Sequence, residues 1–246
     1  MLPNMKYIVL IGDGMADRPI AELGGLTPLQ KAHTPNMDRL AATGITGKSR
    51  TIPHGFSPGS DVANLSILGY DPAKYYSGRA PLEAASIGVK LENGDVAYRC
   101  NLVTLDIKDN PSKTVMDDYS SGHITTEEAS VLINAVQSAL GSENIKFYPG
   151  VSYRHLMIWK NGSVDMRCTP PHDILGKEIS AYLPNGDGSD FLRELIDRSV
   201  DLLESHPVNQ ERIAEGKKPA NSIWLWGQGR RPQMPTSGER FGINGA

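Results

Sequence analysis

The chain has 246 residues, 39% of them hydrophobic and 22% charged, with a formal net charge of −3 and a pI near 6.1. That composition suits a globular protein of one large or two smaller domains and gives no general attraction for nucleic acid or an anionic membrane, so any anion site must be local. No apolar run reaches the roughly 18–20 residues that cross a bilayer, the first such run is too short for a signal peptide, and the chain reads as cytoplasmic. Cys100 and Cys168 lie far apart without a CxxC spacing and read as reduced structural thiols.

Residues 1–4 precede a second methionine, Met5, and read as a ragged start without a role. Residues 6–12 (KYIVLIG) form a short apolar, β-branched run ending in a Gly-Asp-Gly turn, which predicts a buried parallel strand feeding a loop. Residues 34–44 carry a threonine cap, proline at the first helical position and a closing glycine, which predicts one helix. A Gly, Pro and Ser-rich loop over 52–59 precedes helical spacing in Val62, Leu65 and Leu68, and a further short helix is expected over 81–87. Near Ser86 the texture changes to strands alternating with long amphipathic helices.

In that middle block, residues 95–105 and 151–159 read as strands. Residues 125–140 read as a helix opened by the capping box Thr125-x-x-Glu128 and closed by Gly141. A second long helix is expected over 189–204, followed by a charged linker over 209–218. Residues 221–227 (NSIWLWG) are apolar on both faces, as a central strand returning to the first sheet would be, and 227–246 read as loop to the closing Asn-Gly-Ala.

Two positions suggest chemistry. Asp13, flanked by glycines at the end of a predicted strand, lets a cation approach closely, but an Asp-Gly pair is also an ordinary turn. Ser60 stands at a helix N-terminus reached through Pro58 and Gly59. There the free N–H groups stabilise an alkoxide or a phosphate, although a serine at that place is commonly only the cap. No His or Lys base is near Ser60 in sequence, and a metal would supply the activation instead.

The segments Ile11-Gly12-Asp13-Gly14-Met15, Thr34-Pro35-Asn36-Met37-Asp38-Arg39-Leu40 and Gly59-Ser60-Asp61 fall in the order seen in the alkaline phosphatase superfamily. Residues 59–72 (GSDVANLSILGYDP) and 75–84 (YYSGRAPLEA) resemble cofactor-independent phosphoglycerate mutases of the archaeal type. So do Asp118-Tyr119-Ser120-Ser121-Gly122-His123-Ile124, Pro170-Pro171-His172-Asp173 and Ile223-Trp224-Leu225-Trp226-Gly227-Gln228-Gly229. The resemblance covers essentially the whole chain.

It implies an α/β fold: an alkaline-phosphatase-like, mostly parallel sheet core, partial here over 1–85 and 219–246, interrupted by an inserted α+β substrate-binding domain over 86–218. It further implies exchange of 3-phosphoglycerate and 2-phosphoglycerate through a phosphoserine at Ser60, with Asp13 and Ser60 as ligands of divalent metal ions, manganese first and magnesium or zinc as alternatives. The partner is then a small phosphorylated substrate rather than nucleic acid or membrane. Its phosphate and carboxylate call for cations, and Arg99, His123, Arg154, His172, Lys218 and Arg230 are the candidates. Lys218, just before the returning strand, resembles a phosphate-binding lysine of related mutases; His123 and His172 serve equally as local caps, and Arg230 with Arg231 as a loop ion pair with Glu239.

One departure limits the expectation. Family members carry a later Asp-x-x-x-His segment, an Asp-His pair and a further histidine as metal ligands, and none of the six histidines here has metal-segment spacing. The chain is therefore expected to be a fragment with little or no mutase activity. Two other readings stay open: a phosphoryl transferase of the homoserine kinase type proposed for some bacterial relatives, and an inactive fragment that binds a phospho-ligand.

Overall fold

The computed structural model describes residues 6–243, so the expectations for residues 1–4 and for the closing Asn-Gly-Ala lie outside the described residues. The chain forms two compact units, residues 6–50 and 51–243, each described by itself.

In the first unit, Ile20 and Leu26 form an isolated bridge, followed by helices α1 (Pro28–Lys31) and α2 (Pro35–Thr43). Helix α1 begins with a reciprocal capping box between Thr27 and Gln30. Helix α2 arises where proline and glycine bracket it, but the Thr34 hydroxyl donates to the Asp38 carboxylate at 2.9 Å instead of capping a backbone amide. The strand expected over 6–12 does not form, and Tyr7 to Ile11 are exposed. A strand apolar on both faces exists only when neighbours pair with it and both faces are covered. Among the described residues nothing pairs with this run.

The second unit begins with α3 (Ser60–Ile67), α4 (Pro72–Tyr75) and α5 (Arg79–Ser86). A five-stranded sheet follows, built on β1 (Val96–Asp106) with β2 (Val115–Asp118), β3 (Ile145–Val151), β4 (Arg154–Trp159) and β7 (Ser222–Arg230). Between β4 and β7 lie the ribbon β5 (Met166–Arg167) and β6 (Asn185–Gly186), then α7 (Ser189–Glu204) and α8 (Pro207–Ala214). Helix α6 (Thr126–Leu140) joins β2 to β3, and α9 (Ser237–Phe241) ends the described chain.

The mixed α/β character is as expected, but every strand pairing among the described residues is antiparallel. β1 pairs with β4 along Val96–Asn101, with β7 along Val96–Val103 and with β2 at its end, while β3 lies beyond β4. The run over 221–227 is thus the strand expected, but the structure pairs it with β1 rather than returning it to a first sheet, and it continues to Arg230.

Val96 through Leu105 are all buried, because helices cover one face of β1 and loops and α5 the other. On the first face Tyr98, Cys100 and Leu102 pack with Leu132, Ile133 and Val136 of α6 and Leu192, Leu195 and Ile196 of α7. Burial there pushes the Cys100 thiol up and the Cys168 thiol up to about 12, consistent with inert structural thiols. On the opposite face Ala80, Ala84 and Leu91 cover Ala97, Leu156 and Ile158 at one end, while Met116, Ile174 and Ile179 pack with Val103, Leu105 and Trp224 at the other.

The residues over 209–214, expected as a linker, form α8. His206 caps it by accepting from the Val208 amide at 3.2 Å, and Pro207 occupies the first turn. Its buried side chains are polar: Asn209 bonds the carbonyls of Leu203 and Ala220, and Arg212 is equally enclosed. A helix that buries polar residues shows no apolar period in the sequence.

Candidate functional site

Gly59, at φ −161 and ψ 142, is the N-cap of α3, and no side chain caps this helix. Ser60 is the first helical residue, its side chain exposed. Of the two readings of Ser60, the cap is therefore overturned, and the hydroxyl stands free at the positive end of a helix. The neighbouring Asp61 carboxylate accepts from the Tyr76 hydroxyl at 2.5 Å. Burial pushes the Tyr76 phenol up, and Asp61 adds to this against the opposing charges of Arg79 and Arg99. Tyr76 is then a protonated donor tying the first turn of α3 to a group of cations.

Asp13 lies exposed in a tight turn with Gly14 at φ +71, the ordinary Asp-Gly geometry, and belongs to the other unit. Among the described residues no three His, Cys, Asp or Glu side chains converge as a metal-holding group. Two oxygens from Asp13 and Ser60 do not fit a complete divalent-ion site, which needs several carboxylate or imidazole ligands, so no chemical step is derived through a metal.

The sheet face that carries α5 assembles most of the predicted cations around a row of aromatic rings. Arg99 and Trp226 are register partners, and the buried guanidinium lies 4.4 Å from the indole centroid while donating to Glu83 at 2.8 Å. Arg79 sits on the same indole and the same carboxylate. The Trp226 N–H donates to Asn101 at 3.1 Å, and His172 meets that indole edge-on at 5.4 Å. From His172 the row continues to Tyr119 at 6.1 Å, Tyr153 at 5.9 Å and His123 at 6.3 Å. Arg154 stands over Tyr153, exposed and without an ion-pair partner among the described residues, and borders a cavity of about 160 Å³ with Glu83 and Ser86.

Arg99, Arg154, His123 and His172 are thereby brought into one band. They are not equivalent: Arg99 is consumed by Glu83 and Trp226, whereas the other three are exposed to solvent. Aromatic edges and faces fix the directions of such cations at little entropic cost.

His123 is held by backbone in an unusual conformation. Ser121, Gly122 and His123 have φ of 51, 64 and 53, three consecutive left-handed residues, of which only glycine adopts that region freely. Such positions cost about 1–3 kcal/mol each and persist only where the surroundings dictate them. Here the Asp118 carboxylate accepts from the Ser120 amide, the Ser120 hydroxyl and the Gly122 amide, and the Ser120 hydroxyl accepts from the His123 amide. Burial raises the Asp118 carboxyl, but these donors and Lys218 outweigh it and hold it below the usual carboxylate range.

Lys218 joins this cluster as a structural partner: its ammonium lies 2.9 Å from Asp117 and 3.6 Å from Asp118, and the Asp117 bond holds it above its ordinary value. Arg230 also has an architectural position, donating to the Gly94 carbonyl at 2.6 Å and the Gly162 carbonyl at 2.9 Å. Glu239 is occupied by the Thr236 capping box of α9 rather than by Arg231.

A family model described as 2,3-bisphosphoglycerate-independent phosphoglycerate mutase matches residues 41–209. The chain belongs to that family. It is 58% identical to the mutase of that name from Methanosarcina barkeri and 55% identical to a probable one from Geobacter sulfurreducens, over 98% of its own length in each case. It spans about 60% of the length of these relatives. Among solved structures, a cofactor-independent phosphoglycerate mutase from Thermoplasma acidophilum matches with a TM-score of 0.54 at 31% identity, covering 92% of this chain and 60% of that one. A Pyrococcus horikoshii protein matches at 0.65 and 33% identity, covering 91% of this chain and 51% of its own.

Several residues that shape the band in this mutase-family chain were not among the predicted site residues. Arg79, Glu83, Tyr119, Tyr153 and Trp226 meet only because α5, β4 and β7 all contact β1. Arg212, placed in a supposed linker, is fully enclosed and bonds three separate segments.

Proposed function

We propose that this chain serves the interconversion of 3-phosphoglycerate and 2-phosphoglycerate, with residues 1–85 contributing to an alkaline-phosphatase-like core and the sheet unit binding the substrate. The partition follows the sequence expectation, with β7 moved into the sheet unit. The observation that carries the reading is the convergence of His123, Arg154 and His172 on one aromatic-lined band in the unit that holds the exposed Ser60. A substrate that carries both a carboxylate and a phosphate needs separated hydrogen-bond donors, one group for each.

In this reading the Ser60 oxygen bonds to phosphorus as the glycerate C3–O–P linkage breaks at the phosphorus–oxygen bond. The proton given up by Ser60 is balanced by the one the leaving glycerate oxygen gains. The neighbouring hydroxyl then takes the phosphoryl group, and Ser60 is regenerated. Arg154 offers a planar fork for oxygens of one anionic group, and the imidazoles of His123 and His172 offer single donors to the other. We further propose that Asp13 and Ser60 each offer one oxygen to a divalent ion, manganese first, without completing a site by themselves; such an ion would lower the serine's pKa and screen phosphate charge.

Calorimetric titration tests the binding half. The chain is expected to bind 3-phosphoglycerate, and Arg154→Ala to weaken it by about 10- to 100-fold, the loss of a charge-assisted hydrogen bond worth about 1.5–3 kcal/mol, with unchanged thermal stability. Binding of homoserine and ATP but not of phosphoglycerate overturns the reading. Turnover by this chain with manganese is expected to be negligible, and measurable 2-phosphoglycerate formation would refute that part.

A further inference from the structure

We infer that Arg212 is a positioning residue that sets the place of His123 relative to Lys218. The inference rests on the proposed phosphoglycerate reading for its consequence, but its geometry stands alone. Arg212 is 3% exposed and uses all three guanidinium nitrogens. Nη2 donates to the Ser121 carbonyl at 2.7 Å, Nε to the Lys218 carbonyl at 3.0 Å, and Nη1 to the Glu128 carboxylate at 2.8 Å.

The three acceptors belong to three places in the chain: the left-handed turn that presents His123, the approach to β7, and the first turn of α6. Glu128 is itself fixed as the reciprocal half of the Thr125 capping box, so the fork is oriented from a rigid helix end. The Ser121 carbonyl is an acceptor in this turn that the Asp118 carboxylate cannot satisfy, because carboxylates accept and do not donate. Asp118 thus gathers the turn's amides, and Arg212 takes its carbonyl. Two residues to one side of that carbonyl is His123; the second carbonyl gripped by the same plane belongs to Lys218, whose ammonium reaches back to Asp117 and Asp118. A planar, rigid guanidinium between the two carbonyls fixes their separation in a way a flexible ammonium does not.

The test combines calorimetric titration of the whole chain with 3-phosphoglycerate and NMR of the turn, on wild type, Arg212→Met and Arg212→Lys, each with His123 present and with His123→Ala. Where His123 is present, both Arg212 variants are expected to weaken binding by about tenfold; where His123 is already alanine, by less than about threefold, the coupling expected of residues acting as one unit. The three-bond amide couplings of Ser121 and His123, which report positive φ, are expected to change in both variants. Equal losses of affinity in the two backgrounds, or no loss at all, overturn the inference, since a general structural role would act regardless of His123. If wild type binds no 3-phosphoglycerate, the functional reading fails by itself, and the couplings still decide: unchanged couplings in Arg212→Lys overturn the positioning role. Circular dichroism identifies a variant that has not folded, and Arg212→Lys, which keeps the buried charge paired with Glu128, stands in for Arg212→Met in that case.

Discussion

Stability of the sheet unit should fall in mild acid because of one side chain, His155. It is 1% exposed on β4, its Nδ1 accepts from the Gly150 amide at 3.0 Å, and its Nε2 has no partner among the described residues. Nδ1 must stay unprotonated to keep that bond, so the neutral ring carries its hydrogen on Nε2. Burial lowers its pKa from 6.5 to about 3. Between those values the unfolded chain binds a proton that the folded chain refuses, so stability is lost as pH falls below 6.5 and the loss is complete near 3. At pH 5 the expected loss is about 2 kcal/mol, from about 1.4 kcal/mol per pH unit below the unfolded value. Urea unfolding at pH 7 and pH 5 measures it, with His155→Asn as the comparison, since asparagine offers an oxygen near the Nδ1 position without a titrating ring. The variant should be less stable at pH 7 but lose about 2 kcal/mol less on acidification. Equal acid losses in the two proteins would refute the reasoning and assign the effect to carboxylates.

Three further outcomes follow from packing and local bonding. A Cβ on Gly229 would collide with the Ser77 carbonyl oxygen, so Gly229→Ala should cost about 3 kcal/mol in urea unfolding by forcing α5 off β7. Thr125→Ala removes the capping box of α6 while leaving the Glu128 bond to Arg212, and a loss of about 1 kcal/mol is expected by thermal unfolding. Arg230→Ala removes two bonds to loop carbonyls; about 1 kcal/mol of stability should go while phosphoglycerate affinity is unchanged, and a tenfold affinity loss would instead make Arg230 a substrate contact.

Sequence pattern located the elements whose signals are local. Helix α7 spans the expected 189–204, and α6 begins one residue after its capping threonine, because amphipathic period and cap both lie within the segment itself. β1 was legible as a strand although Arg99, Asn101 and Thr104 interrupt its apolar run; their partners Glu83, Trp226 and the Pro219 carbonyl are distant in sequence, so their burial was not legible. Residues 6–12 show the reverse: a strong strand signal stays unrealised because pairing is a property of two segments. At the site, residue type alone could not separate Arg154, which is exposed, from Arg230 and Lys218, which are bonded internally. Arg212 was hidden because burial of a cation is visible only with its acceptors in place.

The pairing of β1 with β7 sets the order in which this chain can acquire its structure. Val96 meets Arg230, so the sheet's longest contact closes a loop of more than a hundred residues, with α6, α7 and α8 inside it. Loop-closure entropy must be met before that ladder forms, which makes the step slow relative to helix formation. During synthesis, β1 emerges early and waits with one hydrogen-bonding edge open until Arg230 is available. A ribosome-bound chain should therefore be most vulnerable to aggregation in this interval, and truncations that stop before β7 should show it permanently.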